Sequence, residues 1–342
     1  MNFSNRLQRG LNMAAHRTQV QDLFRSAIVW DNHSCMPLRT DAGFLPQLER
    51  YRNIGVDVVS LNVGFANMSW AEHIRILSFM RHWISLRPEA YRLVSHIEDV
   101  RRCKAEGKLG VLFDVEGMCP VQDDLGLVQT FYELGVRWML IAYNRNNKAG
   151  GGCQDEDQGL TATGRAIIDE MARVGMVLCC SHTGYRTARE AMEYSKNPVI
   201  FSHSNPRALR DHERNIPDEL IRACARTGGV VDINGIGIFL GDNDSSTEAV
   251  LRHIDYVVEM VGAEHVGLGL DYVFDRAELD QYVREHPEIF PPEKGYGGGM
   301  AIVELEQFPV IAEGLLKRGY TDRQVRGVLG ENNLRVAAQV WR

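Results

Sequence analysis

Short apolar segments recur along the whole chain, and segments with helical character separate them. Eight apolar segments are rich in Val, Ile and Leu, and they span residues 27–31, 57–63, 109–115, 136–143, 175–181, 198–202, 228–234 and 265–271. The helical segments include 72–84, 163–174, 186–195, 217–226 and 247–261. Buried runs that alternate with helices are typical of parallel βα units. Because eight such units close a barrel, we predict an α/β fold, a (β/α)8 barrel of the TIM type.

The alternative α/β architecture is a doubly wound open sheet. Its dinucleotide-binding versions carry a G-x-G-x-x-G turn between a strand and the following helix. None of the apolar segments is followed by that turn, and "GYGGG" at 295–299 follows "FPPEK", a composition typical of loops. The sequence therefore favours the barrel. We expect one barrel domain over residues 1–342, with long loops at about 144–160 and 272–300.

Composition argues against several classes of function. The formal net charge is -7 and no basic stripe stands out, which disfavours nucleic-acid binding. No stretch reaches the roughly 18 apolar residues of a membrane span, and the first twenty residues lack the apolar run of a signal peptide. The seven cysteines are scattered without the spacing of a small disulfide-bonded domain, which indicates reduced thiols. We therefore expect a cytoplasmic protein without a membrane span.

Polar side chains stand where the predicted strands end, and this is the edge at which such barrels carry their chemistry. They are His33 and Cys35 after the first apolar segment, Glu116 after the third, Tyr143 after the fourth, His182 after the fifth, His203 after the sixth and Asp271 after the eighth. Three histidines and a carboxylate at one edge form a ligand set suited to zinc or a related divalent ion. A lone histidine is more often structural, so the metal site depends on their convergence. Five other histidines fall on helices or loops, where we expect them at the surface: His73, His82, His96, His253 and His286. His16, His212 and His265 are not expected to be ligands.

Two assignments at this edge stay open. Asp114 and Glu116 alternate along the third segment, so either could face the site, and Glu116 is preferred because it lies nearer the strand end. Asp31, His33 and Cys35 also alternate, and period-two geometry would point all three side chains the same way. Cys35 could be a thiolate ligand or a buried space-filling residue, and packing is the preferred interpretation.

Arg214 lies in a loop after the sixth segment, just before a predicted helix. A guanidinium at the mouth of the barrel can hold a substrate carboxylate through two parallel hydrogen bonds. The alternative is a surface ion pair with Glu213 or Asp218. The neighbouring ligand set favours the role in substrate binding.

The order of these motifs resembles the membrane (renal) dipeptidases, peptidase family M19, within the metal-dependent amidohydrolase-like barrels. "WDNHSCMP" is similar to the family's D-x-H-x-D-x-P opening, "VEG" to the region of its bridging Glu, and "SHTG" and "PVIFSHSNPRAL" to the regions of its two later His ligands. "RNIPDELI", "VGLGLDYVFD" and "LGENNLRV" resemble its later motifs. The resemblance covers most of the chain.

The resemblance implies a two-zinc site and a set of residue roles. Glu116 would bridge the metals, His33 would serve the first and His182 and His203 the second, Arg214 would take the substrate's C-terminal carboxylate, and Asp271 would act as general base or orient the attacking water. The family cleaves dipeptides, tolerates a D-residue at the C-terminal side, and in some members opens β-lactams. A homodimer is a further expectation carried over from the family.

Two residues depart from the family pattern. Cys35 stands where the family has an Asp, and Tyr143 where it has a substrate-contacting His on the fourth strand. Cys35 could replace the carboxylate as a softer ligand, leave one metal, or accompany a changed reaction. The main hypothesis is zinc-dependent hydrolysis of a dipeptide. The alternatives are an amidohydrolase acting on a non-peptide amide, lactam or modified amino acid, and a barrel that binds a ligand without catalysis.

Overall fold

The strands of the computed structural model, which describes residues 18–66 and 68–342, coincide with the apolar segments of the sequence. Within this part of the chain they are β1 Trp30–Cys35, β2 Val58–Phe65, β3 Tyr91–Leu93, β4 Leu109–Glu116, β5 Val136–Leu140, β6 Val177–Cys179, β7 Val199–Ile200, β8 Val231–Ile233, β9 Val266–Leu268 and β10 Tyr272–Val273. Eight of them correspond to the eight predicted segments. The short strands β3 and β10 are additional.

The eight principal strands form a ring of parallel neighbours. One sheet has the order β10-β1-β2-β4-β5-β6-β7, and β8 pairs with β9 in a second sheet. A parallel bridge between Phe201 and Val231 connects β7 to β8. The backbone N–H of Asp271 donates to the carbonyl of His33 at 3.0 Å and joins the end of β9 to β1. These contacts close the barrel, and the predicted fold class is confirmed.

Helices surround this ring and connect its strands. Within the described residues they are α1 over 18–26, α2 Glu49–Asn53, α3 Trp70–Ser85, α4 Ile97–Glu106, α5 Gly126–Glu133, α6 Ala162–Val174, α7 Tyr185–Tyr194, α8 Asp218–Arg226, α9 Gly237–Leu240, α10 Thr247–Val261, α11 Arg276–Glu285, α12 Phe308–Lys317, α13 Asp322–Arg326 and α14 Asn332–Val340. None of these helices combines the length and the apolar character needed to cross a lipid bilayer.

Helix α14 packs against the start of the barrel. Val336 and Val340 join an interior cluster with Val177, the first residue of β6, and Ala337 joins another with Val58, the first residue of β2. This end of the barrel is therefore filled with apolar side chains. The opposite end, where the strands finish, is left for polar groups.

The segment 272–300 differs from its expectation as a loop. It contains β10, helix α11 (Arg276–Glu285) and two short 3-10 turns, Pro292–Lys294 and Tyr296–Gly298. The prolines and glycines that suggested a loop begin at Pro287, so residues 276–285 contain no helix breaker. Asp275 begins the helix, since its carboxylate accepts from the backbone N–H of Glu278 at 3.1 Å.

The expectation that His73 and His253 lie at the surface is wrong. Both are buried, and each ring donates to a backbone carbonyl at 2.9 Å, His73 to Ser69 and His253 to Leu240. Each histidine falls on the apolar stripe of its helix: the buried positions of α3 include Ile76, Leu77 and Met80, and those of α10 include Val250, Ile254 and Val257. Helical periodicity therefore overrides the polarity of the imidazole.

Candidate metal centre

A β-bulge in β1 decides which side chains enter the barrel. Asp31 pairs with Val59 and Ser34 pairs with Leu61, so three steps along β1 match two along β2. Before the bulge, Asp31 points outward and accepts from the buried hydroxyl of Tyr51 at 2.6 Å. After the bulge, His33 and Cys35 face the interior. His33 and Cys35 therefore share one face, as expected. The expectation is wrong for Asp31, because the bulge reverses the alternation of side chains along β1.

Three imidazoles converge on one carboxylate oxygen. Oε1 of Glu116 lies 3.2 Å from Nε2 of His203, 3.3 Å from Nε2 of His182 and 3.6 Å from Nε2 of His33. This oxygen is buried and has no hydrogen-bond partner among the described residues. A buried carboxylate oxygen without a donor is costly, and a cation held by these nitrogen and oxygen atoms would satisfy it. The donor set thus fits a divalent metal ion.

The other ring nitrogen of each histidine is held by a neighbouring side chain. Nδ1 of His182 donates to Oδ1 of Asn144 at 2.7 Å, and Nδ1 of His203 lies 2.8 Å from Oγ of Ser202. Such partners fix the tautomer and leave Nε2 free for a metal. Sequence reasoning missed both residues. The position of Ser202 directly before His203 was the only local sequence feature pointing to it.

Asp114 performs the same function for His33. Its carboxylate lies 3.3 Å from Nδ1 of His33 and accepts from Oγ of Ser60 at 2.6 Å and from Nδ2 of Asn62 at 3.1 Å. Glu116 faces the three imidazoles, as the sequence predicted. Asp114 and Glu116 are therefore not alternatives. They alternate along β4, so both point inward and sit at successive depths of the barrel.

Burial sets the protonation of these groups. It lowers the pKa of His182 and His203 well below the ordinary value, and the positive charges of Arg214 and His33 lower both further. Burial also lowers the pKa of His33, but Asp114 and its other anionic neighbours more than offset this and hold it well above the ordinary value. Burial raises the pKa of Glu116 to about 8. His182 and His203 are consequently neutral, the form that binds a metal.

Three residues of the site adopt left-handed backbone conformations. The φ angles are 58° for Asn144, 61° for His182 and 57° for Asp271. Such conformations are uncommon for residues other than glycine and persist where the surrounding structure imposes them. In His182 and Asp271 they turn the chain at the end of a strand and direct the side chain over the barrel.

Cys35 and Asp271 also lie beside Nε2 of His33. Oδ1 of Asp271 is 3.4 Å from Nε2 of His33, and Sγ of Cys35 is 3.6 Å from the same nitrogen and 3.5 Å from that oxygen. Asn234 donates to Oδ2 of Asp271 at 2.9 Å, which leaves Oδ1 facing the site. Burial raises the pKa of the Cys35 thiol above its ordinary value. These three side chains are close enough to bind one ion together.

Arg214 is buried at the edge of the same site. Its Nη2 donates to the carbonyl of His203 at 3.3 Å, and its Nη1 is buried without a partner among the described residues. The alternative of a surface ion pair is not seen: Glu213 pairs with Lys294 at 3.1 Å, and Asp218 accepts from Tyr256. A buried, half-paired guanidinium is suited to an anionic ligand.

Tyr143 lies beside the histidines. Its ring stacks on that of His182, with centroids 4.2 Å apart and planes inclined by 24°. Glu116, His182, Arg214, Asp271 and Tyr143 all line one cavity of about 500 Å³, which opens at the ends of the strands. The structure therefore brings all the predicted site residues to one edge of the barrel, including Cys35, which lines the same cavity.

Comparisons with known proteins agree with this geometry. The family model for membrane dipeptidase (peptidase family M19) matches residues 17–281. An amidohydrolase from Pseudomonas aeruginosa is 30% identical over 94% of this chain and 99% of that chain, with a TM-score of 0.85. A probable dipeptidase from the same organism is 18% identical over 96% and 98%, with a TM-score of 0.78.

A metallopeptidase from Rhodobacter sphaeroides, solved with a phosphinate mimic of the dipeptide L-Ala-D-Ala, has the same fold. It is 19% identical, covers 92% of this chain and 100% of that chain, and superposes with a TM-score of 0.76. The family model covers well over half of the chain. This chain belongs to the membrane dipeptidase family, peptidase family M19.

Proposed function

We propose that this protein is a metal-dependent hydrolase that cleaves the amide bond of dipeptides with a free C-terminal carboxylate. The observation that carries this proposal is the buried, unpartnered Oε1 of Glu116 facing the Nε2 atoms of three histidines. Membership of the dipeptidase family and the relative bound to a dipeptide mimic support it. A D-residue on the C-terminal side is part of the same proposal.

The proposed metal is zinc, in one or two ions. His182, His203 and Glu116 would hold one ion, and His33, Cys35 and Glu116 a second. Imidazole, carboxylate and thiolate together suit zinc better than magnesium or calcium, which prefer oxygen ligands. When bound, a divalent ion polarises a carbonyl and lowers the pKa of water from 15.7 to about 7.

Two residues of the chain would handle the attacking water and the developing charge. Oδ1 of Asp271 faces the cavity and would take a proton from the water and pass it to the leaving amine. Burial raises the pKa of Tyr143 well above its ordinary value, so the hydroxyl keeps its proton. Tyr143 would donate that proton in a hydrogen bond to the oxyanion.

Arg214 would hold the other end of the substrate. Its buried Nη1 lacks a partner among the described residues, and a substrate carboxylate would supply one. The guanidinium would then fix the amide bond over Glu116. Arg214→Lys keeps the charge but loses the fork geometry, so we expect a higher KM for dipeptides.

The experiment that tests this function combines metal analysis with turnover. Wild type, His182→Ala and His203→Ala are purified with supplied zinc, and metal content and hydrolysis of L-Ala-L-Ala and L-Ala-D-Ala are measured. Both variants should lose metal and activity together. His82→Ala is the matched control, since His82 is exposed on α3. Full activity in both site variants would contradict the assignment.

The role of Cys35 is tested separately. As a ligand it would make the second ion sensitive to Cys35→Ala, which should lower the metal content by one ion per chain, while Cys35→Asp should retain two. Equal metal content in wild type and Cys35→Ala would remove Cys35 from the ligand set. In that case His33, Glu116 and Asp271 would be the side chains left to hold the second ion.

A second candidate function is hydrolysis of a non-peptide amide, lactam or modified amino acid. It is favoured by the thiol of Cys35 at the site and by the relative described as an amidohydrolase. A panel of dipeptides and N-acylated amino acids distinguishes the two functions by kcat/KM.

We also propose a single domain, a cytoplasmic location and a homodimer. The cysteines, none of which forms a disulfide, are consistent with that location.

A further inference from the structure

The cavity over the candidate metal centre has an apolar wall on the side opposite Arg214. In the ring β1-β2-β4-β5-β6-β7-β8-β9, β2 and β7 are four places apart and thus face each other across the barrel. Arg214 is fixed at the end of β7 by its bond to the carbonyl of His203. Phe65 ends β2 and lines the same cavity.

Helix α11 completes this wall. Leu279 and Tyr282 are three residues apart on that helix, so they present the same face, and both line the cavity. The ring of Tyr282 meets that of Phe65 edge to face at a centroid distance of 5.5 Å. Phe65 in turn lies 5.1 Å from the ring of Tyr143. These aromatic contacts form a wall for an apolar group; Phe65, Leu279 and Tyr282 are called the aromatic wall below.

The acidic side chains near the aromatic wall already have partners. Arg39 contacts Asp275 at 2.9 Å and Glu278 at 2.8 Å. Glu72 accepts from the backbone N–H of Ser69 at 2.8 Å. Asp275 and Glu278 are thus neutralised by a guanidinium, whereas Glu72 is held by hydrogen bonds from Ser69 and keeps its negative charge. The aromatic wall itself offers apolar surface.

We propose that the substrate residue on the N-terminal side of the scissile bond carries a large apolar or aromatic side chain, which binds against the aromatic wall. This inference rests on the proposed function: with the carboxylate at Arg214 and the amide over Glu116, the other end of a dipeptide points across the barrel. Burial of an aromatic side chain there contributes binding that an alanine methyl cannot supply.

The test compares L-Phe-L-Ala and L-Leu-L-Ala with L-Ala-L-Ala in the zinc-loaded full chain. Wild type should show a kcat/KM for L-Phe-L-Ala at least about 10-fold above that for L-Ala-L-Ala. Leu279→Ala and Tyr282→Ala should lower the value for L-Phe-L-Ala by about 10-fold while changing that for L-Ala-L-Ala less than about twofold. Tyr282→Phe keeps the ring and should keep the preference. Leu86→Ala, at an exposed leucine, is the matched control.

Two further results bear on the inference. Equal kcat/KM values for L-Phe-L-Ala and L-Ala-L-Ala in wild type, or equal losses for both substrates in the two alanine variants, would overturn it while leaving the proposed function intact. No turnover of any dipeptide at full metal occupancy would overturn the proposed function and this inference together.

Discussion

The Nε2 atoms of His182 and His203 lie 3.0 Å apart, and both imidazoles are buried. Their Nδ1 atoms are engaged by Asn144 and Ser202, so the two Nε2 atoms face each other with Oε1 of Glu116 beside them. When one of the two Nε2 atoms carries a proton, it donates to the other; when both rings are protonated at Nδ1, the two Nε2 atoms and Oε1 form a donor set that a cation would satisfy.

Removal of the metal should destabilise the folded chain. An ion that binds only the folded state at about 1,000 times its Kd adds about 4 kcal/mol to the free energy of unfolding. We expect a chelator to lower the Tm of the zinc-loaded protein and added zinc to restore it. His182→Ala should lack most of this response. A Tm that is the same with and without chelator would argue against a resident metal.

Asp114→Asn should weaken metal binding without changing a ligand. The substitution keeps the shape of the side chain but removes the charge that faces Nδ1 of His33, and loss of such a partner typically costs 10–100-fold in metal affinity. Competition with a chromophoric chelator measures that affinity. Asp123→Asn, at an exposed carboxylate paired with Lys148, is the control. An unchanged metal affinity in Asp114→Asn would argue that His33 is not a metal ligand.

His253 should make stability fall at acid pH. Burial lowers its pKa in the folded chain from 6.5 to about 4. Between these values the unfolded chain binds more protons, so the free energy of unfolding declines as the pH falls from 6.5 towards 4, by up to about 3 kcal/mol. Above pH 6.5 both states are unprotonated and the effect vanishes.

His253→Gln removes this titration while keeping a donor towards the carbonyl of Leu240. The difference in unfolding free energy between pH 7 and pH 4.5, measured with urea, should therefore be smaller in the variant than in wild type. The exposed His82→Gln should leave the difference unchanged. An identical difference in wild type and His253→Gln would refute the prediction.

Gly269→Ala should perturb the contact between the ends of β9 and β7. A Cβ at this position would overlap the carbonyl oxygen of Ser202, a backbone atom that cannot move alone. Overpacking of this kind typically costs about 1–3 kcal/mol. Ser202 also contacts Nδ1 of His203, so metal affinity should fall together with Tm. At Gly241 a Cβ meets nothing closer than 3.7 Å, and Gly241→Ala should behave as wild type.

Much of the fold follows from the sequence because burial on both faces leaves a strong local pattern. The eight strands of the ring coincide with runs of Val, Ile and Leu, and such runs alternate with helices only in a few architectures. The helical pattern at 276–285 is weaker, and neighbouring prolines and glycines obscured it. Helix α11 was therefore missed. His73 and His253 were misplaced because residue polarity was given more weight than helical period.

The sequence by itself determined which ligand types meet at one edge, since parallel strands in a barrel all end on the same side. Tertiary structure alone decided how these side chains are oriented. The bulge in β1 separates Asp31 from His33, and the left-handed conformations of His182 and Asp271 turn their side chains over the barrel. Asn144, just beyond the neighbouring strand β5, contacts His182. Such features depend on contacts between residues remote in sequence, and these contacts exist only after the ring has closed.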